Sequence, residues 1–183
     1  VTDTMFLSGS LDYSIKLWDI DMEQTQQAEA PPPPLVHAHV RQFYEPPYDE
    51  SPSLCKMTED IFLSGSKENI KLWNINTAEV IKTFAGHTEN VSSVCKITDT
   101  TFLSGSRDNS IKLWDINSGE VLKTFTGHSD DFDFCSVCKM NDTMFISFSG
   151  SLLDPNRNRI KLLDMNTGEI LKTFTGHTSY VNS

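Results

Sequence analysis

Along most of this chain, apolar side chains recur at every second position in short runs rather than at every third or fourth. "TTFLSGS" (100–106) and "SIKLWDI" (110–116) are rich in β-branched and aromatic residues and end in polar turns. That is the pattern of short strands with one face buried. Between them, "RDNS" (107–110) reads as a tight turn, with Asp108 and Asn109 able to bond nearby backbone. "NSGE" (117–120) and "NTGE" (166–169) supply the glycine of a second hairpin, leading into "VLKTF" or "ILKTF". "TENVSSVCKI" (88–97) adds a fourth strand, and no segment holds a convincing helical period.

The four-strand unit repeats. Trp73 and Trp114 mark its period, and His87 and His128 follow them at one constant spacing. The steps from Trp18 to Trp73 and from Trp114 to Leu163, its equivalent, are both longer. With His39 taken as the matching histidine, the excess divides into insertions of 7 before it and 7 after it, with 8 more between His128 and Leu163. The inserted stretches are then about 21–36, 41–53 and 129–134 with 151–159, and residues 1–183 read as one repeat domain. Four short antiparallel strands in a period of about 41 residues is the order of a propeller blade.

The Gly-His at 86–87 and the Trp-Asp at 114–115, with "SGSRDNSIKLWD" leading into the latter, resemble the WD-repeat (WD40-type) β-propeller family. The resemblance covers nearly the whole chain outside the insertions. It implies an all-β fold, a β-propeller of four-stranded antiparallel blades. About four blades and sixteen strands are expected, with one blade split between the N- and C-terminal ends. Three closures stay open: part of a larger seven- or eight-bladed ring, two chains associating to complete a ring, or four blades closing alone. In the family a buried network of His, Ser or Thr, Asp and Trp braces each blade. Carried over, it assigns a full set to His87, Ser104, Asp108 and Trp114, and a second to His177, Ser8, Asp12 and Trp18. His39, Ser64 and Trp73 form a partial set with Glu68 near the Asp position. In the last repeat, His128 and Ser147 persist, but Leu163 replaces Trp and Arg157 falls where Asp belongs, so this blade is expected to be the least rigid.

A recurring Ser, His and Asp invites comparison with a hydrolase triad. The set recurs once per repeat, however, and no nucleophile elbow accompanies it, so no enzyme is expected. The resemblance implies a non-catalytic interaction scaffold or adaptor. The alternative is a regulatory or substrate-recognition domain of a larger assembly, linked to a ubiquitin ligase or kinase. The family's partner-binding face implies Leu11, Lys67, Arg107, Glu89, Asn90 and Tyr180 as contacts, with Lys67 and Arg107 suited to an acidic or phosphorylated peptide.

Composition changes this picture little. A net charge of −10 argues against nucleic-acid binding, which needs a basic face. No apolar run is long enough to span a bilayer, so no membrane partner is expected. Cys55, Cys95 and Cys138 share one repeat position and read as small core residues. Cys135 and Cys138 form a lone C-x-x-C; on a strand, residues three apart face opposite sides, which disfavours a metal site. Free thiols suit the cytoplasm or nucleus. Asp130, Asp131 and Asp133 lack the glycine turn and distal glutamate of a calcium loop, so no cofactor is expected. The prolines at 31–34 favour polyproline II, as a docking peptide or an edge-blunting loop. Phe43, Tyr44 and Tyr48 mark the 41–53 insertion as a second contact candidate, in the connection between an innermost strand and the next.

Overall fold

A computed structural model of the chain describes residues 5–9, 14–20, 38–44, 53–126, 134–150 and 159–175. The chain divides into two compact units, Val1–Pro52 and Ser53–Ser183. Each described element is an antiparallel strand, and none of the described residues is helical.

The first unit holds a three-stranded sheet in the order β1 (Met5–Gly9), β2 (Ser14–Ile20), β3 (Ala38–Tyr44). The second unit holds three four-stranded meanders. They are β4 (Ser53–Lys56) with β5 (Ile61–Ser66), β6 (Asn69–Asn74) and β7 (Val80–Ala85); β8 (Val91–Lys96) with β9 (Thr101–Ser106), β10 (Ile111–Asp115) and β11 (Val121–Phe125); and β12 (Phe134–Lys139) with β13 (Met144–Gly150), β14 (Arg159–Asp164) and β15 (Ile170–Phe174). β8 packs beside both β4 and β12, so the three blades stack through their first strands. The period-two reading therefore holds across the second unit, turn for turn.

Register relocates one insertion. β3 pairs continuously with β2, and Phe43 stands opposite Ile15 as Phe84 stands opposite Ile70 and Phe125 opposite Ile111. β3 is thus an outer strand, and His39, paired with Asp19, lies within it rather than in the loop beyond. The path from Trp18 to Phe43 is more than twice that from Trp73 to Phe84, so the whole excess sits in one insert before β3. The 41–53 stretch is not an insertion between an innermost strand and the next: its first four residues are strand, and the rest leads into β4. The physical reason is that "VRQFY" can donate a full ladder of backbone bonds, whereas the prolines at 31–34 cannot. Two other expected insert boundaries move slightly, since β12 begins at Phe134 and β14 at Arg159.

The core lies between blades. Met57, Leu63, Ile70, Leu72 and Phe84 of one blade pack against Val91, Val94, Phe102, Trp114 and Ile116 of the next. Ile97, Leu103, Ile111 and Phe125 repeat the arrangement against Cys135, Val137, Phe145, Leu163 and Met165. Phe84 meets Phe102 edge-on at 5.0 Å and Trp114 at 6.0 Å, while Phe102 stacks on Trp114. Truncating such a buried tryptophan costs about 3–5 kcal/mol. Glycine sets the spacing: a Cβ on Gly65 would stand 2.7 Å from Val91 Cγ1, and one on Gly105 2.7 Å from the Cys135 carbonyl oxygen.

The Asp of each Trp-Asp pair, or its replacement, organises the following turn. Asp115 Oδ1 accepts from the Ser118 N–H at 2.7 Å, Asp164 Oδ1 from Asn166 and Thr167, and Asn74 Oδ1 from Asn76 and Thr77. These backbone donors hold the Asp115 and Asp164 carboxyls below the usual range. The turn closes through a left-handed residue, which is Gly119 and Gly168 in two blades but Ala78 in the third. A Cβ in that conformation costs roughly 1 kcal/mol. Ala78→Gly should therefore stabilise the chain despite glycine's entropy, raising the thermal midpoint by about 1–2 °C in circular dichroism melts. A lower midpoint would show that Ala78 packing outweighs backbone strain.

Candidate functional site

The blade β8–β11 carries the full predicted set, and the structure brings it together. Trp114 on β10 donates its Nε1–H to Ser104 Oγ on β9 at 2.8 Å. Ser104 Oγ lies 2.7 Å from His87 Nε2, and His87 Nδ1 lies 2.7 Å from Asp108 Oδ2 in the β9–β10 turn. Only one proton assignment satisfies every atom. Nδ1–H donates to the carboxylate, Ser104 O–H donates to bare Nε2, and the indole N–H donates to one of the two lone pairs on Ser104. The Asp108 carboxylate also accepts from Thr88 N–H at 3.1 Å, Ser110 N–H at 3.0 Å and Ser110 O–H at 2.6 Å.

Burial pushes His87 below its ordinary range, against the opposing pull of Asp108, so the imidazole is neutral at pH 7. Burial would raise Asp108, but its bonds from Ser110 and His87 win and hold it low. The geometry is that of a Ser–His–Asp triad, yet the chemistry is closed. Ser104 is 0% exposed and its oxygen is already bonded to the indole, so no substrate carbonyl reaches it. This set is a brace.

What it braces is one end of the blade stack. His87 and Thr88 belong to the β7–β8 loop, and tying them to Asp108 fixes that loop against the β9–β10 turn. Ser106 Oγ donates to the Glu89 carbonyl at 3.0 Å, and the Arg107 N–H donates to the Asn90 carbonyl at 2.9 Å. Across the blade boundary, the Val91 N–H donates to the Lys67 carbonyl at 2.6 Å. Lys67, Glu89, Asn90 and Arg107 therefore share one ridge, and Asn109 completes its turn in the left-handed region. Leu11, Asp12 and Tyr180, with His128, Arg157 and His177, lie outside the described residues, as do Asp130, Asp131, Asp133, Tyr48 and the prolines at 31–34. Ser8 and Trp18 lie on β1 and β2, where only the backbone is described.

Of the partial set, Ser64 and Trp73 sit together in one blade, while His39 lies within the outer strand β3. Trp73 Nε1–H donates to Ser64 Oγ at 2.8 Å in the blade β4–β7. In β12–β15 Leu163 stands where the indole stands elsewhere, and among the described residues the buried Ser147 and Ser149 hydroxyls have no hydrogen-bond partner.

Sequence reasoning missed the polar seams between blades. The Val94 N–H donates to Ser53 Oγ and the Lys96 N–H to Cys55 Sγ, both at 3.1 Å. One blade on, the Val137 N–H donates to Ser93 Oγ at 3.1 Å and the Lys139 N–H to Cys95 Sγ at 3.3 Å. Lys96 Nζ reaches the Met57 carbonyl, and Lys139 Nζ the Ile97 carbonyl at 2.7 Å. Cys55 and Cys95 are half-buried and pack against the core as expected, and they also accept across the seam, whereas Cys138 is exposed. The repeated "S-x-C-K" was the available signal, because a polar or thiol acceptor beside a lysine recurs at one strand position. Cys135 and Cys138 do point to opposite faces of β12, one buried and one exposed. Burial pushes the Cys135 thiol up to about 12, which leaves it protonated and inert. Among the described residues, no group of three or more His, Cys, Asp and Glu side chains is placed to hold a metal ion.

Comparison with known proteins agrees with this architecture. The family described as "WD domain, G-beta repeat" matches residues 1–19 and 78–115. Among solved structures, the WD40 β-propeller domain of Doa1 is similar, with 26% sequence identity and a TM-score of 0.68. The likeness covers 97% of this chain and 53% of that one, so the chain spans about half its length. No curated protein matches. By its repeats and its blades the chain has the WD40-type β-propeller fold and is similar to that family. Propellers of this family generally mediate protein–protein interaction and are typically non-catalytic.

Two outcomes test the brace. Ser104→Ala strands the indole N–H and an imidazole nitrogen in a dry site, at about 1–3 kcal/mol for each buried group. Ser147→Ala removes a hydroxyl with no hydrogen-bond partner among the described residues and should leave stability unchanged or raise it by about 1 kcal/mol. Urea titration of both variants reads the contrast, and equal losses would contradict it. The second outcome concerns pH. The unfolded chain binds more protons at both groups, because His87 and Asp108 lie below their ordinary values of 6.5 and 3.8 when folded. Stability is therefore full above pH 6.5, falls as His87 is forced to charge, and falls again below 3.8. The thermal midpoint of wild type should drop across the first window, and that of His87→Asn should stay flatter there.

Proposed function

We propose that the chain is a non-catalytic interaction scaffold or adaptor that presents the Lys67–Glu89–Asn90–Arg107 ridge to a peptide partner. The observation that carries this reading is the tethering of that ridge. Two turns and one loop are held by backbone bonds and by the buried His87–Asp108 pair, so their side chains are presented with little ordering left to do on binding. Exposed Lys67 and half-buried Arg107 supply cations near each other on a chain of net charge −10, which suits a partner with an acidic or phosphorylated side chain. Glu68 and Glu89 beside them make the ridge selective for a discrete anion over a long acidic tract.

The test is a fluorescence-anisotropy screen of the whole chain against matched phosphorylated, acidic and neutral peptides. The Lys67→Glu, Arg107→Glu double variant should lose at least about tenfold in affinity for the binders, which is about 1.4 kcal/mol. Unchanged binding in that variant, with an unchanged thermal midpoint, would falsify the ridge as the contact surface.

A further inference from the structure

The blades of the second unit are also fastened at the end away from the ridge, by lysines thrown across each junction onto backbone carbonyls. The ridge is built from the β9–β10 turn and the β7–β8 loop, so the β8–β9 and β10–β11 turns lie at the other end of the meander. There, Lys82 on β7 donates to the Ile116 and Asn117 carbonyls of the next blade, at 3.1 and 2.6 Å. Lys123, its equivalent on β11, donates to the Asn166 carbonyl one blade further on. Lys96 and Lys139 reach back the other way, to the Met57 and Ile97 carbonyls. Each junction in the second unit thus carries one lysine from each side.

The two pairs of clasps are built differently. Lys96 and Lys139 also meet the carboxylates of Asp99 and Asp142, three residues on, at 2.6 and 2.8 Å. Lys82 and Lys123 are held by carbonyl oxygens and by packing. Their ammonium groups stand 5.9 and 5.4 Å from the ring centroids of Phe84 and Phe125, core residues of their own blades. On the other side is the neighbour's turn glycine. A Cβ on Gly119 would come 3.5 Å from Lys82 Cδ, and one on Gly168 3.5 Å from Lys123 Cε. Both lysines are half-buried in this seat.

Such a seat fits an ammonium and rejects its amide. An ammonium brings three N–H donors and a full charge to the carbonyls. Acetylation leaves one N–H, removes the charge and adds a carbonyl oxygen. That oxygen would face backbone oxygens that need donors, so the amide cannot close the clasp.

We infer that Lys82 and Lys123 are acylation sites at which acetylation and clasp closure exclude one another, so that the modification holds the outer edge of a junction open. The acyl donor is a thioester. The neutral ε-amine attacks its carbonyl carbon, the C–N bond forms as the C–S bond breaks, and the amine's proton goes to the departing thiolate. The inner seam at Ser53, Cys55, Ser93 and Cys95 takes backbone donors and stays closed. An acetylated junction is therefore hinged at its first strands rather than undone.

The experiment reads the clasp in two ways. First, the whole chain, folded and in urea, is pulsed with the acetyl ester of N-hydroxysuccinimide, and mass spectrometry follows each lysine. Lys82 and Lys123 should label about tenfold more slowly in the folded chain, where local opening limits access. Second, Nε-acetyl-lysine is installed at position 82, and amide hydrogen exchange is compared with that of Lys82→Gln and Lys82→Arg. The acetylated chain and Lys82→Gln should exchange several-fold faster across β7 and the β10–β11 turn, with β8 unchanged. Lys82→Arg keeps a cation and should stay near wild type. Equal labelling of the folded chain and the chain in urea overturns the inference. So does an acetylated chain that exchanges like wild type, or a Lys82→Arg variant that opens as far as Lys82→Gln. The labelling arm uses the unmutated chain, so the inference stays testable even if a variant misfolds.

Discussion

Each sheet in this chain is too thin to bury its own apolar side chains, so each must borrow its core from the next. The Phe84–Phe102–Trp114 cluster is that constraint in its most concentrated form, with aromatic rings from two blades meeting at centroid distances of 5.0–6.1 Å. Everything polar in the structure is arranged around this need. The glycines at 65 and 105 leave room for the neighbour's first strand, whose Val91 and Val94 side chains meet the one and whose Cys135 backbone and thiol meet the other. The seam bonds from Lys96 and Lys139 exist because backbone N–H groups brought to such a boundary need acceptors.

The His87–Asp108–Ser104–Trp114 chain shows how one arrangement serves opposite ends. In a hydrolase the same three polar groups leave the serine reachable and the oxygen free. Here the indole N–H donates to the hydroxyl oxygen and the blade closes over it, which converts a proton relay into a fastener. Its output is mechanical: a loop and a turn become one surface.

Much of this was legible in the amino-acid order because the information is local and repeated. Turn chemistry at Asp108, Asn109 and Gly119 acts over two or three residues, and the constant period established which residues are equivalent. The brace was legible through the family resemblance, since its four members are scattered from His87 to Trp114 and nothing local links them. His39 misled because it lies near the right place with a histidine's chemistry, while its backbone belongs to an outer strand. Only pairing partners distinguish those cases. The seam role of Cys55 and Cys95 was hidden for another reason: a small sulfur residue on a strand looks the same whether it fills space or accepts a bond.

The defects of the third blade are concentrated on one segment, β13, where Ser147 and Ser149 are buried without partners among the described residues and Phe148 stands in a glycine's position. In a stack that interacts only with nearest neighbours, stability is a sum of unit terms and junction terms, and opening begins where that sum is smallest. Amide protons of β12–β15 would then exchange with solvent through an opening that leaves β8–β11 intact. The second unit is in this sense graded: a well-fastened blade, β8–β11, stands beside one, β12–β15, that can open on its own.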